Sequence, residues 1–424
     1  MKITKKLIYL AFVSITFMLS CAQKEQDPII IPPEVIPDNT PTVTGNNAIL
    51  DLSNEQQVID GFGGSTAWNG AISDAQADIL FGNNVSSQMG LSICRLRIDP
   101  NNNWNDEKSN AIKANARGAK VFASPWSPPI SLKTNNNVVQ GRVDSTKYNA
   151  YALYLKSFGD YIKAAGVTLT AISIQNEPDW KPDYESCSWT GDEIAKFTKE
   201  NAPTVGYPFM IGESLGLNTA ITDPALNDAA ACANVSYVGG HLYGRTPFTY
   251  TNAINKGKKI WMTEHYYDNA NNNITEALKV AKEINDCMCT NMNAYVWWWM
   301  LPLNGSTCNL INSNNAITKN GCAIAQFAKW IRPGFKRVSI SPNPYANVYL
   351  SAYKNGTKTI IVVINSNTFS VKQPVMIQNG SITSLTPIET SSTNSIVTLS
   401  VLPVTSSNFS INLNAQSITT LVSN

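Results

Sequence analysis

The sequence predicts an α/β fold, a (β/α)8 TIM barrel with a C-terminal side β-sandwich domain, and three observations predict it. Between Gly61 and about Pro333, short apolar runs alternate with longer segments at helical spacing, the pattern of parallel strands joined by crossover helices. Eight such runs fall within about 270 residues, close to the roughly 250 of a typical barrel of this kind. After Pro333 the texture changes to alternating strands punctuated by turns, as in VYLSAYKNGTKTIIVVIN and VMIQNGSITSL, which suits a β-sandwich.

Taken in order, residues 1–21 (MKITKKLIYLAFVSITFMLSC) carry Lys2, Lys5 and Lys6 before an apolar run from Leu7 to Leu19. This is the grammar of an export signal rather than of a spanning helix. The Leu-Ser-Cys ending resembles the lipobox of bacterial lipoproteins, which implies a lipid on Cys21 and an exported chain that meets a membrane, at the cell surface or in the periplasm, through that anchor alone. A plain secretory leader is the alternative. Residues 22–46 are proline-rich and read as a tether. Residues 47–60 contain AILDL (Ala48 to Leu52), a strand expected to join the β domain.

Within the barrel, residues 61–333, strands are expected near Val58 to Phe62, Ser92 to Ile98, Lys120 to Ala123, Ala171 to Gln175, Phe209 to Gly212, Val235 to Gly239, Lys259 to Met262 and Ala294 to Trp297. Between them lie amphipathic segments such as Lys147 to Ala165 and Ile274 to Cys287, with apolar residues three and four apart. In the β domain, residues 334–424, the Asn355-Gly356 pair between two β-rich runs marks a hairpin.

Composition narrows the function. A content of 43% hydrophobic residues can bury a large core, and 32 basic residues stand against 30 acidic ones. Without the three leader lysines the balance is 29 against 30, a formal −1. No basic run interleaves with aromatics, so a nucleic-acid partner has no footprint here, and a neutral or nearly neutral substrate is expected. Beyond Cys21 there are cysteines at 94, 187, 232, 287, 289, 308 and 322. The odd number leaves at least one thiol free unless chains cross-link, and Cys308 with Cys322 is the pair that could staple a polar loop. Cys287-x-Cys289 has the wrong spacing for a zinc site, and with His241 and His265 the only histidines, no metal is expected. A monomer without a cofactor is expected.

In a barrel of this class the chemistry sits at the carboxyl ends of the strands, where the loops converge. The first strand ends near Trp68, and the second carries Arg95, Arg97 and Asp99 on one face by period-two alternation. The third ends in Ser124-Pro125-Trp126, the fourth in Gln175-Asn176-Glu177, the fifth in Glu213, the sixth in His241 and Tyr243, the seventh in Glu264, and the eighth in Trp297, Trp298 and Trp299. Glu177 and Glu264 are three repeats apart, on the fourth and seventh strands. Two carboxylates so placed are what a retaining glycosidase needs, one to protonate the leaving oxygen and one to attack the anomeric carbon. Each could instead pair with an arginine at the rim. Glu213 has no specialised neighbour. Trp68, Trp126, Trp180, Trp189, Tyr243, Tyr266 and Tyr267 lie in or beside the same loops, and sugar rings offer flat C–H faces that stack on such side chains.

The segments IDGFGGSTAW, GLSICRLRID, VFASPWSPP, AISIQNEPDW, HLYG, WMTEHYYD and AYVWWW, in this order, closely resemble glycoside hydrolase family 30, in particular its bacterial endo-xylanase subfamily. The likeness runs from about Ile49 to Asn424 and includes RPGFKRVSISPNPYANVYLSAYKNG in the β domain. It implies hydrolysis of β-1,4-xylan or xylo-oligosaccharides with retention of configuration, with Glu177 as acid/base and Glu264 as nucleophile. It further implies that Arg95 sits beside the nucleophile, that Asn176 contacts the sugar 2-hydroxyl, and that Trp126, Tyr243 and Trp298 line the subsite where the bond is cut. Trp68 and Tyr266 are expected to extend that surface.

One departure bears on specificity. Xylanases of this subfamily that require a methylglucuronic acid branch place an arginine just past the tryptophans, in a stretch like WWYIRRSYG. Here Trp299 to Asn304 read WMLPLN, with no cation. Methionine, leucine and proline cannot make a bidentate carboxylate contact, so no dependence on such a branch is expected. The alternatives are a family 30 glycanase of other specificity, acting on β-1,6-glucan or a glucoside, and a surface glycan-binding lipoprotein that does not cut. Alternation along the last strand is expected to put Trp297 and Trp299 on one face and Trp298, as sugar platform, on the other.

Overall fold

The computed structural model describes residues 43–424, so the leader, Cys21 and the tether up to residue 42 lie outside the described residues. Eight parallel strands close into a barrel: β1 (Gly61–Ser65), β2 (Ile93–Ile98), β3 (Lys120–Pro125), β4 (Ala171–Ser173), β5 (Phe209–Ser214), β6 (Val235–His241), β7 (Lys259–Glu264) and β8 (Ala294–Trp299), with β8 returning to pair with β1. The strand expected from Val58 begins instead at Gly61, because Val58 still pairs with Lys336 in the side sheet. Gly63 is required by close approach of neighbouring strands, since a Cβ there would lie 2.1 Å from the Ile93 carbonyl oxygen.

Ile93, Phe122, Ala171, Met210, Trp261, Ala294 and Val296 form a buried cluster of their own, the layered side-chain filling of a small barrel. At the amino-terminal end the Trp261 indole N–H donates to Asp60 Oδ2 at 3.0 Å. Asp60 Oδ1 accepts from Lys120 at 3.0 Å and Lys259 at 2.8 Å, the first residues of β3 and β7. This polar plug ties three strands together at the end opposite the site. Outside, the helix Tyr148–Ala164 buries Tyr151, Leu155, Phe158 and Ile162 at three- and four-residue spacing, and the helix Ile274–Cys289 does the same with Ala277, Ala281, Ile284 and Met288.

The C-terminal domain is one continuous sheet, eleven-stranded among the described residues, that curls over its own core. The strand Ala48–Val58 lies within it, antiparallel to Lys336–Ile340 and parallel to Val371–Gln378. Val43 and Thr44, inside the segment read as tether, already pair with Val371 and Lys372. The hairpin at Asn355-Gly356 forms, with Asn355 opposite Lys358 and Gly356 at φ 56°. Strand Lys358–Asn365 (KTIIVVIN) is buried on both faces. Ile361 and Val363 point into the sheet's own core, while Ile360, Val362 and Ile364 belong to the barrel's outer hydrophobic layer. That explains an unbroken apolar run where a solvated sheet would alternate. Polar ties reinforce the seam: Thr420 Oγ1 donates to the Gln326 carbonyl at 2.7 Å, and Lys319 Nζ donates to the Ser391 carbonyl at 2.7 Å.

The staple that Cys308 and Cys322 could have formed is not made. Both are buried free thiols, as are Cys94, Cys187 and Cys287, while Cys232 and Cys289 are free and partly exposed. Cys308 Sγ instead accepts from Ser306 Oγ at 3.1 Å. Among the described residues, no helix is long and apolar enough to cross a membrane.

Candidate active site

Glu177, in the turn that follows β4, and Glu213, next to last in β5, adopt left-handed backbone conformations that side chains other than glycine rarely take, at φ 47° and φ 49°. Such strain costs on the order of 1–3 kcal/mol per residue and persists where the surroundings over-determine it. Here they do. The Glu177 N–H donates to the Glu213 carbonyl at 2.9 Å, and the Asn176 N–H to the Pro125 carbonyl at 2.8 Å, locking the turn after β4 between β3 and β5. The Gln175 amide braces the same turn by donating to the Trp126 carbonyl at 2.6 Å. Glu264 ends β7 opposite His241 of β6.

An oxygen of Glu177, an oxygen of Glu264 and a nitrogen of His241 all lie within 4.8 Å of one another. Nearest oxygens this close suit the retaining arrangement, with carboxyl groups about 5–5.5 Å apart, better than the inverting one of about 6.5–9.5 Å that leaves room for a water. Glu264 is bonded to Arg95 Nη1 through Oε2 and accepts from Tyr243 Oη at 2.9 Å through Oε1. Glu177 Oε1 lies 3.0 Å from His241 Nδ1, and Oε2 accepts from Tyr184 Oη at 3.3 Å. These three residues could offer a metal one donor atom each, but their oxygens are already engaged, and a cation there would face the Arg95 guanidinium.

Arg95 is fully buried. It donates to Asn176 Oδ1 at 2.6 Å and to Ser124 Oγ at 3.3 Å, and Nη2 lies 3.0 Å from Glu213 Oε1. Its guanidinium covers the Trp126 ring at 4.6 Å. Because Asn176 spends its oxygen on Arg95, its NH2 is left as a donor.

Burial alone would push the His241 imidazole towards the neutral form. The Glu264 charge and the Glu177 hydrogen bond outweigh it and raise its pKa above the usual value. Burial also raises the Glu264 carboxyl, against the pull of His241 and Arg95. The Tyr243 phenol is raised well above its ordinary range, first by burial and then by Glu264, so it acts as a neutral donor.

Above the carboxylates opens a cleft of about 890 Å³ lined by Trp68, Trp126, Tyr243, Tyr266 and Trp298, with Trp180, Tyr184, Glu185, Leu303 and Asn304 on its walls. Trp68, 38% exposed, meets Trp126 and Trp298 edge-on, with centroids 4.8 and 6.0 Å away. Arg95 and Asn176 are almost wholly buried, bonded to each other beside Glu264. Trp189 and Tyr267 stay out of the site: Trp189 packs among Tyr148, Tyr151 and Phe197, and Tyr267 donates to Glu283.

The tryptophan run departs from simple alternation. The pairing of β8 with β1 shifts register between Trp297 and Trp299, so Trp299 stacks on Trp298, centroids 4.9 Å apart and planes at 27°, and joins the cleft wall. Trp297 alone faces away, fully buried, with its indole N–H on the Cys308 carbonyl at 2.7 Å. The sequence also left Glu213 and His241 without a role. Both stood at strand ends, but nothing local shows that they converge on Arg95 and Glu177.

Comparison with known proteins gives the same architecture a lineage. Residues 105–204 match the family described as glycosyl hydrolase family 30 TIM-barrel domain. The glucuronoxylanase XynC of Bacillus subtilis (strain 168) is 38% identical over 404 residues, covering 92% of this chain and 94% of that enzyme. Among solved structures, a family 30 subfamily 8 xylanase from Clostridium acetobutylicum superposes with a TM-score of 0.85 at 42% identity, over 89% of this chain and 100% of that one. A family 30 endoxylanase from Clostridium papyrosolvens gives 0.83 at 39% with the same coverage. A likeness that runs through barrel and side sheet alike, at this identity and over nine-tenths of the residues, means that the chain belongs to glycoside hydrolase family 30.

Proposed function

We propose that this chain is a retaining endo-β-1,4-xylanase that cuts the xylan backbone without needing a methylglucuronic acid branch. The observation that carries the reading is the carboxylate pair Glu177 and Glu264, within 4.8 Å at the floor of an aromatic cleft. The xylanase relatives supply the substrate class. Glu264, oriented by Arg95 and Tyr243, attacks the anomeric carbon while Glu177 protonates the departing sugar oxygen. Water then takes the reverse path with Glu177 as base. Trp126 and Trp298 give the sugar a stacking surface, and the Asn176 NH2 is the donor suited to a sugar hydroxyl.

Indifference to an acidic branch is supported by what lines the cleft beyond the tryptophans. Leu303 and Asn304 stand on that wall, Met300 is buried against Gly64, and none is a cation. Arg97 is held by Asp99 at 2.7 Å and by Glu185. Arg245 is exposed, with its guanidinium 4.3 Å from the Phe248 ring. Product mapping on glucuronoxylan and on unbranched xylan tests this. Comparable cleavage of both, with uronyl groups at varied distances from the new reducing ends, is expected. A series with the acid at one fixed position from that end would refute it.

A further inference from the structure

The reading of Glu177 and Glu264 as the reacting pair leaves Glu213 unexplained, and Glu213 is conspicuous. It is fully buried at the end of β5, its Oε1 lies 3.0 Å from Arg95 Nη2, and neither of its carboxylate oxygens has a well-formed hydrogen bond. Its own carbonyl holds the Glu177 N–H, and its side chain fills the space over Gly239, where a Cβ would come within 2.8 Å of Glu213 Cγ. A buried carboxylate left so poorly satisfied costs stability. A structural role alone would be met as well by a glutamine of the same shape.

We propose that Glu213 is a positioning residue, a third carboxylate that shares the Arg95 guanidinium with Glu264 and thereby sets the pH range over which the catalytic pair works. The charged and titratable groups around this centre are Arg95 from β2, Glu177 with Tyr184 from the loop after β4, His241 and Tyr243 from β6, and Glu264 from β7. Within a low-dielectric floor, a fixed anion raises the cost of ionising every carboxyl near it. With Glu213 charged, Arg95 cannot commit its whole charge to Glu264. The nucleophile stays more basic than a simple arginine pair would leave it. Removing the charge moves the ionisations of the coupled pair together.

The test is the pH dependence of kcat/KM on linear xylo-oligosaccharides for the full chain and for Glu213→Gln and Glu213→Asp. In Glu213→Gln both limbs of the profile should move to lower pH by about 0.5–1 unit, the size expected for one charge near a buried carboxyl pair. Glu213→Asp keeps the charge and should keep the limbs near their parent positions, even if turnover falls. Limbs that stay in place in a folded Glu213→Gln, or that move equally in Glu213→Asp, overturn the proposal. Carboxyl carbon NMR of the parent enzyme provides a check that does not depend on any variant folding: Glu213 should be ionised throughout the active pH range, and a protonated Glu213 there overturns the proposal as well. A parent chain inactive on xylan would instead sink the functional reading on which this rests.

Discussion

A carboxyl group can protonate a sugar oxygen in one step and take a proton from water in the next only if the field around it changes between the two. Glu177 is placed for that, with Glu264 inside 4.8 Å and His241 between them. In the mechanism proposed above, esterification of Glu264 would remove a negative charge from this group and leave Glu177 free to act as base. Glu177→Ala should therefore slow xylan hydrolysis about 10²–10⁴-fold, the usual contribution of general acid catalysis. An aryl xylobioside with an acidic phenol as leaving group should lose much less in the glycosylation step, and added azide should restore turnover. Equal losses on both substrates, measured by steady-state rates, would remove Glu177 from the acid role. That Glu177, Glu264, Arg95 and Asn176 gather at one rim could be read from the sequence because each lies inside a strand-end motif. The roles of Glu213 and His241 could not, because their partners come from other strands and only closure of the barrel brings them together.

Among the elements, the strands were legible to within a few residues, since each is a short buried run between helices, and even the three-residue β4 was found. Two misplacements have physical causes. β1 starts late because the preceding strand runs on in the side sheet, and Trp299 faces the cleft because of the register shift against β1. Neither depends on local sequence. One tie between elements makes a stability prediction. Glu107, in the first turn of the helix Asn105–Ala116, accepts from Thr66 Oγ1 at 2.6 Å and from the Arg97 N–H at 3.1 Å. Burial pushes its carboxyl from an ordinary 4.5 up to about 7. A carboxyl raised on folding binds its proton more tightly in the native state. It therefore favours the native state most when protonated, below about pH 4.5, and that contribution is lost as pH rises through about 7. The span corresponds to on the order of 3 kcal/mol. Chemical denaturation should show Glu107→Gln gaining on the parent between about pH 4.5 and 7 and levelling off above that. A pH-independent difference would contradict the assignment.

For the whole molecule, the α/β class, the barrel and the C-terminal β domain could all be read from the sequence, because alternation of runs and a change of texture after Pro333 survive without knowledge of contacts. What could not be read is the seam. Strand Lys358–Asn365 gives one face to its own sheet and the other to the barrel's outer layer, and an apolar run of eight residues does not say which neighbours cover it. The fused sheet covers one side of the barrel, while the Asp60 plug closes the end opposite the cleft and leaves the carboxyl ends of the strands to chemistry. The central claim is that Glu177 and Glu264 at those ends work by double displacement, and the stereochemistry of the first product tests it most directly. Proton NMR of a xylo-oligosaccharide digest, read before mutarotation, should show the new reducing end in the β configuration. Initial release of the α anomer would mean single displacement and would contradict the assignment of Glu264 as nucleophile.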